Sequence, residues 1–194
     1  RSCHTTCRTA LEKAVTEGLI TTNPAIGCRL PPKKAKEMQV LTQDEIRRFL
    51  IQAQDEGYYE LFLLELTTGM RRGEILGLQW KDVNLDTGEL HIRRQVVKKG
   101  AQTLISKPKT KSSIRTILLP PGMVEILAEL KKNATCDWVF PSPVKEGEPR
   151  NPDSLYGRFQ KILKRAQCKK VRFHDLRHTF ATMALENGMD IKTL

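Results

Sequence analysis

Apolar positions along this chain recur mostly at helical intervals, and only one region alternates as strands do. Thr5–Thr16 carries Ala10, Leu11, Ala14 and Val15 on one stripe, after which Gly18 and Asn23-Pro24 stop and turn the chain. One helix is too short to be a domain, and it reads as the last helix of a module that begins upstream. Leu30-Pro31-Pro32-Lys33-Lys34-Ala35-Lys36 is expected to be an extended basic linker, because Pro-Pro disfavours helix and the lysines repel one another. A second unit opens at Thr42-Gln43-Asp44-Glu45, a capping box in which the Thr42 hydroxyl accepts from the Glu45 amide while Glu45 reaches back. Ile46, Phe49 and Leu50 supply the apolar face of that helix. Tyr58–Thr68 is Leu-rich and expected to be buried nearly all round; Gly69 breaks it, and Arg71–Leu78 starts the next helix.

After the turn Asp86-Thr87-Gly88, Leu90, Ile92 and their alternating partners through Val97 predict a strand. Thr103–Ile105 and Ile114–Leu119 predict further strands of one small antiparallel sheet with basic loops. Helices are expected at Met123–Lys131, at Ser154–Ala166, and from about His174 to the stop at Asn187-Gly188. Trp138-Val139-Phe140 reads as a short buried segment. The sum is an α+β fold, mainly α, with a small antiparallel β-sheet.

A chain of 194 residues, 39% apolar and 28% charged, is long enough for one domain with a proper core. No run approaches the roughly 18 apolar residues of a membrane span, and Arg1-Ser2-Cys3-His4 opens without a signal-peptide pattern. The absent initiator Met points to a fragment of something longer. Lys and Arg outnumber Asp and Glu by 33 to 22, a net charge of +11, which favours a polyanionic partner. The distribution sharpens this. Leu90–Val124 holds eight Lys/Arg (Arg93, Arg94, Lys98, Lys99, Lys107, Lys109, Lys111 and Arg115) and no acid; Arg158–Arg177 holds eight against Asp175 alone. A solvated helix face mixes its signs.

The five cysteines are odd in number and irregularly spaced, as reduced cytosolic thiols are. Cys3-His4-x-x-Cys7 lacks a second ligand pair at finger spacing, so Cys3 and Cys7 are expected to be partly buried helix residues.

Cleaving a phosphodiester requires cations where charge grows on the phosphate oxygens, and guanidinium forks present parallel donors there at any working pH. Arg71 follows the helix-breaking Gly69 and is placed where a loop meets a helix start; Glu74, three residues on, shares its face and can hold it. The alternative is that Arg71 and Arg72 are an exposed pair closing a helix junction. His174 and Arg177 share a helical face, with His178 nearby, although such pairs also occur by chance on surface helices. His174-Asp175-x-x-His178 has the spacing of a metallopeptidase pair with Asp for Glu, but Arg177 opposes a dication and no third ligand follows. Lys107, Lys109 and Lys111 lie in a loop between strands, from which a lysine can deliver a proton to a leaving oxygen or simply contact phosphates.

Three segments then match a family in order and spacing. Thr68-Gly69-Met70-Arg71-Arg72-Gly73-Glu74-Ile75-Leu76-Gly77-Leu78, the hairpin Lys109-Thr110-Lys111-Ser112-Ser113-Ile114-Arg115-Thr116-Ile117, and Phe173-His174-Asp175-Leu176-Arg177-His178-Thr179-Phe180-Ala181-Thr182 resemble the tyrosine recombinases, of the phage and conjugative-transposon integrase type. The resemblance covers about residues 41 to 194. Thr5–Ile26, ending in Leu19-Ile20-x-x-Asn23-Pro24, resembles the tail of that family's core-binding domain. It implies residues 1–30 as the last helix of a core-binding domain, 31–40 as a linker, and 41–194 as a catalytic domain without its C-terminal segment.

The resemblance also implies roles. Arg71 and Arg177 would clamp the scissile phosphate, His174 would act in proton transfer or hydrogen bonding there, and Lys109, with Lys111 the second choice, would protonate the leaving 5′ oxygen. Glu74 would orient Arg71. The remaining basic positions, Arg72, Arg93, Arg94, Lys98, Lys99, Lys107, Arg115 and His178, are expected to contact DNA. The family's nucleophilic tyrosine would follow a few dozen residues beyond the His174–Arg177 helix, and none of Tyr58, Tyr59 and Tyr156 stands there, so this stretch is expected to bind DNA without cutting it. Implied partners are double-stranded DNA, further copies forming a tetramer on DNA, and an accessory bending or excision factor, in a bacterial cytosol. No metal or other cofactor and no membrane are expected. The rivals are a non-catalytic DNA-binding module, a type IB topoisomerase-like enzyme and a metal-dependent nuclease, the last needing converging acids that the basic blocks lack.

Overall fold

The computed structural model describes residues 2–32, 38–100, 102–106 and 114–189. It divides into two compact units, Arg1–Glu37 and Met38–Leu194. The expected loop lysines Lys107, Lys109 and Lys111 lie outside the described residues, as do Lys33–Lys36 of the expected linker.

In the first unit, helix α1 spans Ser2–Thr16. Asn23, 6% exposed, ties the following turn back to it: its amide donates to Arg8 O (2.9 Å) and Glu12 Oε2 (2.6 Å), and its Oδ1 accepts from Ala25 N (3.0 Å). None of the α1 residues is buried, so Cys3 and Cys7 are exposed rather than partly buried as expected.

The second unit begins with α2 (Gln43–Asp55), which forms the expected capping box: Glu45 N donates to Thr42 Oγ1 (3.3 Å), and Thr42 N to Glu45 Oε2 (2.9 Å). Glu45 also accepts from Lys169 N (3.0 Å) and lies 3.3 Å from the Lys169 ammonium, which fastens this helix start to the strand-like segment before the last helix. Burial pushes the Glu45 carboxyl upward, but the Thr42 and Lys169 donors outweigh it and bring the pKa from 4.5 down to about 2. A depressed pKa contributes stability above the unfolded value that is lost as pH falls through the folded one. Between pH 4.5 and about 2, therefore, the acid-side fall in melting temperature is expected to be shallower in Glu45→Gln than in the wild type. Superimposable melting curves across that window would refute it.

Helix α3 (Tyr59–Thr68) is central, with Leu61, Phe62, Leu64 and Leu66 buried on different sides. Phe62 anchors a ring cluster with Phe49 of α2 (4.9 Å between centroids), Phe159 (5.7 Å) and Phe173 (6.1 Å). Gly69 caps α3 at φ +58°, a left-handed conformation that costs a side-chain-bearing residue roughly 1–2 kcal/mol. The chain then re-enters helix as α4 (Arg72–Leu76), which packs on the strand Gln95–Lys99. Gly73 permits that approach, because a Cβ there would stand 2.7 Å from the Val96 carbonyl oxygen.

The sheet differs from expectation. Strands β1 (Val83–Asn84), β2 (Glu89–Ile92) and β5 (Arg115–Leu118) form one antiparallel sheet in the order β1-β2-β5, with Ile92 opposite Arg115. Strands β3 (Gln95–Lys99) and β4 (Gln102–Ser106) form a separate hairpin. The expected continuous strand from Leu90 through Val97 breaks at Arg93-Arg94, where the Arg94 guanidinium turns inward to the buried Asp82 and to Gly77 O. Helices α5 (Pro121–Lys132) and α6 (Pro152–Arg165) each start on a proline, whose missing N–H is no loss there. The last helix, α7 (Phe173–Glu186), lies against α3 and is tied to the start of the unit by Thr179 Oγ1, which accepts from Leu41 N (3.1 Å).

Candidate active site

The site is built where the left-handed turn after α3 meets α7. Arg71 occupies the N-cap of α4; its backbone N–H donates to Glu74 Oε2 (3.0 Å), and its Nη1 to Glu74 Oε1 (2.8 Å). A carboxylate at this position suits the positive end of the helix and fixes the guanidinium at once. Glu74 is 2% exposed and takes a second guanidinium: Arg115 of β5 reaches it with Nη2 at 3.0 Å and Nη1 at 3.2 Å. Burial raises the Glu74 carboxyl, yet the Arg115 and Arg71 donors hold it below its ordinary value, so it is ionised at neutral pH.

Arg177 approaches from α7 and donates through Nη1 to the Gly69 carbonyl at 2.6 Å. The Gly69 turn thus aims one arginine and anchors the other. Phe180, one turn further along α7, closes on it so tightly that a Cβ at Gly69 would stand 2.4 Å from its ring. Burial and the positive charges of Arg115 and Arg71 lower the pKa of Arg177, the signature of cations gathered without a full complement of anions. A phosphate is the kind of group that relieves this.

His174 and His178 stand edge to face, 4.9 Å between ring centroids. Partial burial, His178 and Arg177 all lower the pKa of His174, which keeps it neutral at neutral pH and able to donate and accept. The acid of the metallopeptidase-like spacing is engaged elsewhere, since Asp175 accepts from Arg172 N (2.7 Å) and lies 2.6 Å from Arg172 Nη2. Among the described residues, no three His, Cys, Asp or Glu side chains gather as metal ligands.

A pocket of about 340 Å³ opens beside these groups. Arg71, Arg72 and His174, all expected in the site, line it. So do Glu65, Tyr156 and Arg172, which sequence reasoning left out. Arg172 was legible as part of the second basic block, and Glu65 as a single acid inside the apolar run Leu61–Leu66.

Of the eight expected DNA-contacting residues, Lys107 lies outside the described residues, His178 stands beside His174, and the other six separate into three groups. Arg94 turns inward onto Asp82 and Arg115 onto Glu74. Arg72 is partly engaged, donating to Pro152 O (3.1 Å) with its guanidinium 6.0 Å from the Tyr156 ring centroid. Arg93 is exposed and lies 3.9 Å from Asp82, Lys99 is exposed on β3, and Lys98 pairs with Asp153 at 2.5 Å.

Residues 39–194 match the profile of the phage integrase family. The chain belongs to that family. Within it, the chain is 30% identical to a XerC-like tyrosine recombinase of Caldanaerobacter subterraneus, over 96% of this chain and 55% of the relative. It is 24% identical to the ICEBs1 integrase of Bacillus subtilis, over 94% of this chain and 53% of that one. The chain thus spans about half the length of these relatives. The fold is that of the phage integrase catalytic domain. A Tn1549 transposon integrase in complex with a circular intermediate DNA superimposes with a TM-score of 0.82 at 21% identity, covering 99% of this chain and 68% of the other. A lambda integrase dimer bound to a COC' core site gives 0.68 at 22% identity, covering 96% and 66%. Among the described residues, no helix is long and apolar enough to cross a membrane.

Proposed function

We propose that the full-length protein integrates and excises a mobile element by site-specific recombination of double-stranded DNA, with a tyrosine as nucleophile and no metal in the strand-cleavage step. The observation that carries this reading is the convergence of Arg71 and Arg177 on the Gly69 turn, with the ionised Glu74 behind Arg71 and a neutral His174 in the wall of the adjoining pocket. Arg71 and Arg177 grip the nonbridging oxygens of the scissile phosphate and stabilise the charge that develops there. The tyrosine oxygen attacks phosphorus, a 3′-phosphotyrosyl bond forms, and the bond to the 5′ oxygen breaks. That oxygen takes its proton from a hairpin lysine, Lys109 in first place and Lys111 in second. The tyrosine's own proton leaves as its oxygen bonds to phosphorus, and the neutral His174 accepts it or holds a phosphate oxygen. Attack by the 5′ hydroxyl of a partner strand reverses the step, so bond energy is kept and no nucleotide hydrolysis is needed. Exchange between two duplexes requires several copies of the protein, four in this reading, and an accessory bending or excision factor is expected.

The nucleophile is assigned to none of Tyr58, Tyr59 and Tyr156. Tyr58 is packed under the guanidinium of Arg150 (4.7 Å to the ring centroid), and Tyr156 lies under Arg72. The test is a nicked duplex attachment site incubated with the full-length protein in EDTA and resolved on a denaturing gel. A covalent protein–DNA adduct that survives EDTA and persists in Tyr156→Phe is the expected result. Binding without an adduct, or cleavage only with added Mg²⁺, would leave a binding module or a metal nuclease in its place.

A further inference from the structure

Glu65 takes no part in the mechanism above, yet it lies in the wall of the pocket lined by Arg71 and His174. It is 1% exposed, and its Oε2 has no hydrogen-bond partner among the described residues. The neighbouring guanidiniums are engaged elsewhere: Arg71 and Arg115 with Glu74, Arg172 with Asp175, and Arg177 with the Gly69 carbonyl. A carboxylate buried with neither counter-ion nor donors is so costly that the group takes up a proton instead. Burial accordingly holds this carboxyl well above the usual carboxylate range; Arg177 pulls it down and Glu74 pushes it further up. The other shifted acids among the described residues, Glu45, Glu56, Glu74, Asp153 and Asp175, all move down.

We propose that Glu65 is a positioning residue that governs Arg177: as a neutral acid it leaves that guanidinium available to a phosphodiester, and once ionised it becomes the counter-ion of Arg177 and weakens the pocket's hold on the phosphate. This rests on the reading of the pocket as a phosphate site. The charges acting on Glu65 are Arg177 from α7 and Glu74 from α4; α2 and α5, which also pack on α3, contribute none among the described residues. Arg71, Arg72, Arg172, His174 and Tyr156 share its pocket. Glu74 is already neutralised by two guanidiniums, so a second ionised carboxylate subtracts directly from the charge offered to the phosphate. The sign follows from linkage. An anion in the pocket favours the neutral form of Glu65, so affinity is full below its pKa and declines as pH rises through it.

Two measurements decide the matter. Difference infrared spectra of the full-length protein at neutral pH are expected to show the carbonyl band of a protonated carboxyl that Glu65→Gln lacks. Absence of the band from the wild type overturns the proposal whatever the protein does to DNA. Should Glu65→Gln fail to fold, loss of the wild-type band on passing to alkaline pH decides alone. In the second measurement, fluorescence anisotropy with a duplex oligonucleotide is followed from neutral to alkaline pH. Wild-type affinity is expected to fall several-fold more than that of Glu65→Gln, from equal values at neutrality. Parallel curves, or a tighter complex of Glu65→Gln at neutrality, overturn it. No duplex binding at any pH removes the phosphate reading and this proposal with it, and the infrared band, which does not depend on DNA, separates that failure from an ionised Glu65.

Discussion

Arg177→Ala is expected to slow strand cleavage by the full-length protein about a hundred- to a thousand-fold, the loss typical of removing one preorganised donor from a developing oxyanion. Duplex binding should weaken much less, because one phosphate contact among many changes affinity modestly and lowers the salt dependence by about one unit of slope. Two features of the structure make this separation clean. Arg177 is partly buried and repelled by Arg115 and Arg71, which offsets its attraction to Glu74 and Glu65. Among the described residues its one hydrogen bond is to the Gly69 carbonyl at the end of α3. The folded state should therefore survive with a nearly unchanged melting temperature. Arg177→Lys should recover little, since an ammonium cannot present two parallel donors to one phosphate. Single-turnover cleavage of a nicked duplex, with anisotropy and thermal melting on the same preparations, checks all three. Cleavage within a few-fold of wild type would remove Arg177 from the mechanism.

Much of this was legible along the chain, for reasons that differ from element to element. The capping box at Thr42–Glu45 and the proline starts of α5 and α6 depend on a few neighbouring residues, so local chemistry decides them. The pairing of Arg71 with Glu74 follows from three-residue spacing at a helix start, and the structure places it there. The break between β2 and β3 was not legible. Alternation from Leu90 through Val97 fits an uninterrupted strand, and what divides it is Asp82, a buried acid more than ten residues upstream that draws Arg94 inward. The same kind of distant partner engages Arg115. Sequence counts it as one basic residue in an acid-free block, whereas β5 pairs with β2 and delivers it to Glu74, 41 positions away in the chain. Glu65 was not singled out in the sequence, although it is the one acid within the apolar run Leu61–Leu66. The all-round burial of α3 was legible in its leucines; that it leaves Glu65 Oε2 without a donor among the described residues depends on what packs around it.

Glu74→Gln should be the most damaging single change to the site's architecture, costing about 3 kcal/mol in chemical denaturation, near the lower end of the loss seen when one partner of a buried ion pair is removed. The lower end applies because Arg71 is 51% exposed at its side chain and water takes over part of the work, whereas Arg115 is 28% exposed and has less recourse. The amide keeps the size of the carboxyl and one acceptor, so the loss reports charge and not a cavity. Arg71, Arg115 and Arg177 then face one another with no ionised carboxylate between them, and Arg71 loses the partner that fixes its fork. Cleavage should fall along with stability, which separates this variant from Arg177→Ala. Acid should bring the wild type toward the variant. The Glu74 carboxyl lies below its ordinary value of 4.5, so its contribution is complete above that pH and fades below it as the group takes up a proton. The difference in unfolding free energy between wild type and Glu74→Gln should accordingly shrink with acidity. A difference that is small at neutral pH, or that stays constant into acid, would mean that the two arginines are held by something other than this carboxylate.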